Sequence, residues 1–177
     1  MRVVGGLYRG RKLVGFDGLD VRPTADRVKE NLFNILSNRI IGVTFLDAFA
    51  GTGGMGIEAL SRGAKDVTFV DFSDKSVGII QKNLKNIGID KKVIKCDSIA
   101  YLKKADAFDI IFIDPPYKGE LGKKALEVIG ERGLLSDNGV AVYEHEEPFE
   151  GAVKGLTVTD ERKYGRVYLT FFKKELL

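Results

Sequence analysis

Phe108-Asp-Ile-Ile-Phe-Ile-Asp-Pro-Pro-Tyr117 is an apolar run that ends in an acid, two prolines and an aromatic residue. A short apolar run bounded by prolines is typical of a strand that is buried on both faces of a sheet. Because neither proline can donate a hydrogen bond to a neighbouring strand, this strand must end at Asp114. The residues that follow form a stiff tip at the carboxyl end of the strand, which is where open α/β sheets bind their ligands.

Strands and helices alternate on both sides of this run. The pattern predicts strands at Val43 to Ala48, Val67 to Asp71, Val93 to Cys96, Phe108 to Ile113 and Gly139 to Tyr143. Helices are predicted at Gly53 to Arg62, from Ser73 or Asp74 to Ile87, at Ser98 to Lys103 and at Leu121 to Ile129. Such alternation requires a parallel sheet with right-handed crossovers and helices on both faces.

The end of the chain breaks this alternation. Leu156 to Thr159 and Val167 to Phe172 are joined by a link too short for a crossover helix, so they predict an antiparallel hairpin at the sheet edge. We therefore expect an α/β fold: a doubly wound, mostly parallel, Rossmann-like sheet of seven strands, in a single domain that spans residues 1–177.

The start of the chain is basic. Residues 1–20 predict a small β-hairpin extension, in which Arg2, Arg9, Arg11 and Lys12 fall in a stretch without acids that could contact phosphates. A helix should follow, with Thr24 as its N-cap. Its predicted buried face is formed by Val28, Leu32, Ile35 and Leu36.

The composition is that of an ordinary globular protein. The chain has 177 residues, 44% of them hydrophobic, and a formal net charge of +3. Its single cysteine, Cys96, cannot form an internal disulfide and is expected to pack in the core. No apolar run resembles a signal segment or is long enough to span a bilayer, so we expect a cytoplasmic protein.

A glycine loop, Asp47-Ala-Phe-Ala-Gly51-Thr-Gly53-Gly-Met-Gly56, lies between the first predicted strand and its helix. Residues 51–56 match the G-x-G-x-x-G pattern, which lets a backbone pass close to a cofactor and presents amides at a helix N-terminus. This pattern alone does not separate dinucleotides from other nucleoside ligands.

Acids end the first three predicted strands. Asp71 could accept both hydroxyls of a ribose, and Asp97 could meet the amino group of an adenine. A buried Asp47 would repel a pyrophosphate and attract an ammonium group. The three acids therefore favour a cationic nucleoside, and S-adenosylmethionine carries a sulfonium, an ammonium, a ribose and an adenine.

Almost the whole chain resembles the RsmD-type methyltransferases, which modify the N2 amine of a guanine in small-subunit (16S) ribosomal RNA. The matching segments are Met1-Arg-Val-Val-Gly-Gly, Tyr8-Arg-Gly-Arg-Lys12, Arg22-Pro-Thr-Ala-Asp-Arg27, Asp47-Ala-Phe-Ala-Gly-Thr-Gly53, Gly56-Ile-Glu-Ala-Leu-Ser-Arg-Gly63 and Asp114-Pro-Pro-Tyr117. The chain departs from the generic methyltransferase loop at Phe49, where that loop has glycine, and relatives can carry Phe in place of Tyr117.

This resemblance implies a cofactor, a substrate and a set of site residues. It implies S-adenosylmethionine, converted to S-adenosylhomocysteine, bound by Asp47, Phe49, Gly51, Thr52, Gly53, Gly56, Asp71, Phe72, Asp97 and Ser98. The substrate base would be held by Asp114, Pro115, Pro116 and Tyr117. The RNA substrate would lie in an assembling or assembled small subunit. From the charge pattern, and not from the resemblance, the candidate RNA contacts are Arg2, Arg9, Arg11, Lys12, Arg22 and Arg27.

The strand tip suggests how the reaction would proceed. Asp114 and the carbonyl of Pro115 would accept the two hydrogens of the amine, and Tyr117 would stack on the base. No metal is needed for this chemistry, and His145 is expected to be a bystander.

Three other functions remain open at this point. The first is methylation of a different amine, either adenine N6 in RNA or DNA or a protein glutamine, although the tip in those enzymes usually starts with Asn. The second is a dinucleotide-dependent oxidoreductase, supported only by the glycine pattern. The third is a non-catalytic RNA-binding module that uses the basic hairpin.

Overall fold

A computed structural model describes residues 1–16, 23–116 and 119–176. The strands are β1 (Thr44–Asp47), β2 (Asp66–Asp71), β3 (Val93–Lys95), β4 (Phe108–Ile113), β5 (Leu135–His145), β6 (Leu156–Tyr164) and β7 (Val167–Lys174). The α-helices are α1 (Pro23–Leu36), α2 (Gly54–Ser61), α3 (Asp74–Asn86), α4 (Ser98–Leu102) and α5 (Glu120–Arg132). A 3-10 turn (Ser37–Ile40) extends α1.

The seven strands form one sheet in the order β3-β2-β1-β4-β5-β7-β6. Strands β1 to β5 pair in parallel, whereas β7 is antiparallel to both β5 and β6. The predicted Rossmann-like sheet and the C-terminal hairpin are therefore confirmed. The strand order reverses between β1 and β4, and such a reversal opens a ligand-binding crevice at the carboxyl ends of the strands.

Alternating strand residues divide the core between two helical layers. On one face, the rings of Phe45, Phe69 and Phe112 pack with α1, α2 and α3. On the other face, the neighbouring residues Leu46 and Ile111 pack with α4 and α5. Because both faces are covered, the inner strands are almost continuously apolar, as the sequence indicated.

The N-terminal hairpin, residues 1–14, folds back as predicted, with one antiparallel bridge between Arg2 and Lys12. The buried carboxylate of Glu58 in α2 accepts hydrogen bonds from the backbone N–H groups of Val4 and Gly5, at 2.9 and 2.8 Å. The ammonium of Lys29 in α1 lies 3.6 Å from Glu58 and donates to the carbonyl of Arg2 at 2.7 Å. The hairpin is thus anchored to two helices.

Two local predictions were wrong. Helix α1 begins at Pro23, so Thr24 lies inside the first turn instead of capping it; proline is favoured there because the first helical N–H has no partner to lose. Strand β5 begins at Leu135, not Gly139, since the turn-like residues 136–139 form a bulge between the pairs Phe108 to Leu135 and Ile110 to Val140.

Several other elements are longer than predicted. Helix α5 runs on to Arg132, and β6 continues to Tyr164 beside β7. None of the helices in the three described ranges is both long and apolar enough to cross a membrane.

Candidate active site

Four acids meet at the carboxyl ends of neighbouring strands. Each acid lies two positions after a residue that belongs to the core face covered by α1, α2 and α3. Side chains alternate along a strand, so the acids lie on that same side of the sheet. They are Asp47 after Phe45, Asp71 after Phe69, Asp114 after Phe112 and Glu144 after Val142.

Asp47 is the most buried of these acids, with 1% of its surface exposed. Its Oδ2 accepts a hydrogen bond from the N–H of Gly56 at 3.0 Å. Burial, reinforced by the charges of Asp114 and Asp71 and opposed by the Gly56 N–H, raises the pKa of Asp47 to about 7. A cation in the crevice would reverse this effect, because it would stabilise the ionised form.

Asp114 and Glu144 are neighbours at the tips of β4 and β5. Ile113 pairs with Tyr143, so the next residue on each strand lies side by side with the other. Desolvation raises the pKa of the Asp114 carboxyl, to an extent that is limited by the exposure of the residue to water. Burial and the charge of Asp114 also raise the pKa of Glu144. Within the described ranges, the side chain of Glu144 forms no hydrogen bond or ion pair, although its backbone pairs with Leu169 of β7.

The glycine loop, residues 47–56, has the backbone that only glycine adopts readily. Gly51 and Gly53 have φ angles of 57° and 82°, in the left-handed region. At Gly56 an added Cβ would collide with the ring of Phe69. At Gly51 it would meet only the ring of Phe16, at 3.9 Å. The backbone near Gly51 therefore borders open space that a cofactor can fill.

Asp71 retains hydrogen-bonding capacity for a ribose. Its Oδ2 accepts from the N–H of Gly51 at 2.9 Å, and its Oδ1 accepts from the N–H of Ser73 at 3.0 Å. These bonds fix the carboxylate and leave further lone pairs on both oxygens. The next residue, Phe72, is an aromatic side chain with 71% of its surface exposed. A fixed carboxylate beside an exposed ring fits a nucleoside.

Asp97 and Ser98 lie at the start of α4, where their side chains form hydrogen bonds within the protein. The Oδ1 of Asp97 accepts from the N–H of Ala100 at 2.8 Å, and Asp97 is otherwise exposed. The buried hydroxyl of Ser98 donates a short hydrogen bond to the carbonyl of Ala48 in the glycine loop. Ser98 thus ties the glycine loop to α4.

The remaining predicted residues are divided between the described and the undescribed parts of the chain. Phe49 packs against the core beneath α4 and α5, and the Thr52 hydroxyl lies 3.7 Å from the sulfur of Met1. Pro115 is half-buried and Pro116 is exposed. Tyr117 and Arg22 lie outside the described residues.

The basic residues predicted to contact RNA lie on the surface. All five within the described residues are exposed: Arg2, Arg9, Arg11, Lys12 and Arg27. In the described part of the chain their side chains form no salt bridge. They are therefore available to phosphates.

His145 takes part in an aromatic stack on the face of the sheet opposite to the four acids. Its ring lies 4.4 Å from that of Tyr143 and 5.9 Å from that of Tyr168, and its Nε2 is 2.6 Å from the hydroxyl of Thr170. Burial lowers the pKa of His145. These contacts indicate a structural role. Cys96 is partly buried and packs against the core, as expected.

Sequence reasoning missed Glu144, because no local motif marks it and only the pairing of β4 with β5 brings it to Asp114. The available signal was its position two residues after a buried apolar residue at a strand end. Across residues 1–16, 23–116 and 119–176, no group of three or more His, Cys, Asp or Glu side chains could hold a metal ion.

The fold and the crevice are those of a Rossmann-like methyltransferase. They share its strand order, a glycine loop after β1, an acid that ends β2 and an Asp-Pro-Pro tip after β4. Residues 1–173 match the model of one protein family, described as Conserved hypothetical protein 95. The chain belongs to that family, and the RsmD-type resemblance is confirmed by its relatives.

Two sequence relatives and one solved structure illustrate the similarity. Ribosomal RNA small subunit methyltransferase D of Haemophilus influenzae is 39% identical over 152 residues, which cover 82% of this chain and 79% of the relative. The Bacillus subtilis protein YlbH is 38% identical over 182 residues, covering 98% of this chain and 99% of that protein. The structure of Escherichia coli yhhF has a TM-score of 0.88 at 32% identity, covering 99% of this chain and 98% of that one.

Proposed function

We propose that this protein is a single-domain enzyme that transfers a methyl group from S-adenosylmethionine to the exocyclic N2 amine of a guanine in small-subunit (16S) ribosomal RNA. The observation that carries the proposal is the position of Asp114-Pro115-Pro116 beside the buried Asp47 at the carboxyl end of the central strands. The name of the Haemophilus influenzae relative supports ribosomal RNA as the substrate.

The crevice contains suitable groups for each part of the cofactor. Asp47 offers a negative charge to its cationic end, Asp71 offers acceptors to the ribose, and Phe72 offers a ring to the adenine. Asp97 is the acceptor proposed for the adenine amino group. When bound, S-adenosylmethionine supplies an electrophilic methyl group on a positively charged sulfur.

The strand tip orients the amine. A guanine N2 amine is a poor nucleophile, because its lone pair is delocalised into the ring. The Asp114 carboxylate and the Pro115 carbonyl accept its two hydrogens, direct its nitrogen and stabilise the positive charge that develops on it. The proton is released after the methyl group is transferred, so Asp114 need not act as a strong base. Tyr117 stacks on the base, which must leave its helix or be unpaired already.

The exposed basic side chains hold the RNA. Arg2, Arg9, Arg11 and Lys12 of the hairpin and Arg27 of α1 bind phosphates, and Arg22 is proposed to join them from its place in the sequence. The setting is cytoplasmic, the substrate is an assembling or assembled small ribosomal subunit, and the reaction needs no metal.

The proposal is tested by incubating the protein with labelled S-adenosylmethionine and small subunits that lack the modification, with the Asp114→Ala variant as control. Nucleoside mass spectrometry of the digested RNA should find one labelled N2-methylguanosine, and the control should lack it. Label in N6-methyladenosine or in ribosomal protein would show that the substrate assignment is wrong. Naked 16S RNA, assayed in parallel, distinguishes free RNA from the assembled subunit.

A further inference from the structure

Asn83 is a buried side chain in α3 that joins two separate parts of the chain. Its Oδ1 accepts a hydrogen bond from the backbone N–H of Val14 at 2.6 Å. Its Nδ2 donates to the carbonyl of Val14 at 3.0 Å and to the carbonyl of Thr52 at 2.9 Å. One amide therefore holds the end of the N-terminal hairpin and the middle of the glycine loop.

The position of Asn83 in the fold is unusual for its residue type. Asparagine is a poor residue for a helix interior, and the neighbouring buried positions of α3 are the apolar Ile80 and Leu84. Burying an amide is favourable only when its groups find partners. Asn83 uses its acceptor and both amide hydrogens on backbone groups that are 69 and 31 residues away. Its role is thus to connect distant backbone segments.

The end of the hairpin that Asn83 holds lies beside the glycine loop. Two residues after Val14, the ring of Phe16 would lie 3.9 Å from a Cβ placed on Gly51. The ammonium of Lys75, in the first turn of α3, lies 5.7 Å from the centre of that ring. Residues 14–16 therefore form a wall of the open space over the glycine loop.

The other end of the hairpin is attached to the same loop by a different route. Glu58 binds the N–H groups of Val4 and Gly5, and Glu58 lies in α2, the helix that begins directly after Gly53. The proposed phosphate contacts Arg9, Arg11 and Lys12 lie between these two attachments. The hairpin and the glycine loop can thus move only together while the Asn83 bonds are intact.

We propose that Asn83 is a positioning residue that couples cofactor binding in the glycine loop to RNA binding by the N-terminal hairpin. The two states are an amide-bonded arrangement, in which residues 14–16 line the cofactor space, and a released one, in which they do not. The cofactor contacts this wall only in the bonded state. The end of the hairpin at Val14 is fixed against the glycine loop only there, whereas Glu58 holds the other end in both states. Each ligand therefore strengthens the binding of the other by the same factor. This inference rests on the proposed function.

The coupling factor is measured with S-adenosylhomocysteine and a fluorescent 16S RNA fragment. The RNA dissociation constant is determined with and without saturating S-adenosylhomocysteine. The dissociation constant of S-adenosylhomocysteine is determined by calorimetry with and without saturating RNA. For the unaltered protein we expect each ligand to bind at least about 5-fold more tightly when the other is present, which is the usual range for coupled sites.

Substitution then tests the residue. Asn83→Leu removes all three hydrogen bonds at similar volume, and its coupling factor should fall to about one. Asn83→Asp keeps the acceptor for the Val14 N–H but loses both donors; it should give the same loss of coupling and serves if the leucine variant does not fold. Asn86→Leu makes the same chemical change at an exposed position of α3 and should leave the coupling factor unaltered.

Each outcome has a distinct meaning. Undiminished coupling in a folded Asn83→Leu or Asn83→Asp variant overturns the inference, and so does a coupling factor of one in the unaltered protein. Because S-adenosylhomocysteine binding is also measured without RNA, weakened binding in Asn83→Leu alone supports the wall formed by residues 14–16 even if the substrate is a different nucleic acid. An unaltered protein that binds neither ligand contradicts the proposed function itself.

Discussion

Replacing Asp47 with Asn removes the buried carboxyl of the crevice and retains its shape. The amide oxygen can still accept the Gly56 N–H hydrogen bond, which is 3.0 Å long in the structure. What disappears is the ionisable group whose pKa is raised from 3.8 to about 7 by burial and by nearby acids. We expect the ligand-free protein to become more stable and its affinity for the cofactor to fall.

The sign and size follow from proton linkage. A raised pKa in the folded state means that the stability contributed by protonated Asp47 is fully present below pH 3.8 and is lost as the pH rises through 7. At about 1.4 kcal/mol for each unit of pKa, the difference between the folded and unfolded pKa of Asp47 corresponds to a loss of about 4 kcal/mol of stability above pH 7. Since part of it arises from Asp114 and Asp71, we expect Asp47→Asn to recover about 2–4 kcal/mol at pH 8.

Urea unfolding, followed by circular dichroism at pH 5 and pH 8, measures this difference. The gain in unfolding free energy for Asp47→Asn should be larger at pH 8 than at pH 5 by about 2–3 kcal/mol. An equal gain at both values, or a less stable variant at pH 8, would refute the reasoning. Calorimetry with S-adenosylmethionine should show weaker binding to the variant, because the cationic end of the cofactor loses a negative partner.

Asp109 at the opposite end of the sheet is the matched control. Hydrogen bonds from the Thr44 N–H at 2.8 Å and the Ser136 hydroxyl at 2.7 Å lower the pKa of Asp109. Its contribution is therefore present above its unfolded pKa and is lost as the pH falls through the folded one. Asp109→Asn should destabilise the protein at pH 8 and leave cofactor affinity unchanged. A gain in stability would show that the pKa of Asp109 is not lowered by these hydrogen bonds.

Three further results are expected. Asp71→Ala should weaken S-adenosylmethionine binding by about 1–3 kcal/mol through lost ribose hydrogen bonds, with RNA affinity retained, and calorimetry showing full affinity would contradict this. Asp114→Ala should lower the single-turnover rate on saturating RNA by about 10²–10³, and a robustly active Ala variant would require another role for this residue. Asp114→Asn should also be slow, because its NH2 group faces the amine of the substrate. Reversing the charges of Arg9, Arg11 and Lys12 should reduce the salt dependence of RNA binding, by roughly one unit of log–log slope for each lost contact, and an unaltered slope would place the RNA elsewhere.

The elements of the sheet could be predicted because their signals are local. Strand β4 was predicted at its observed bounds, since an apolar run that meets Asp114 and two prolines cannot continue. Gly51 and Gly53 marked a backbone that other residues resist, and both have positive φ angles in the structure. The start of β5 could not be read in the same way, because residues 136–139 look like a turn until β4 pairs across them.

The sequence by itself therefore determined the order of strands and helices, the glycine loop and the acids at the strand ends, because backbone preferences and side-chain period depend on neighbours a few residues away. Only the tertiary structure decided which acids lie together and how strongly they hold protons, since desolvation and charge proximity arise from strands far apart in the chain. The pairing that brings Glu144 to Asp114, and the bonds from Asn83 to Val14 and Thr52, exist only once the sheet and its helices have packed.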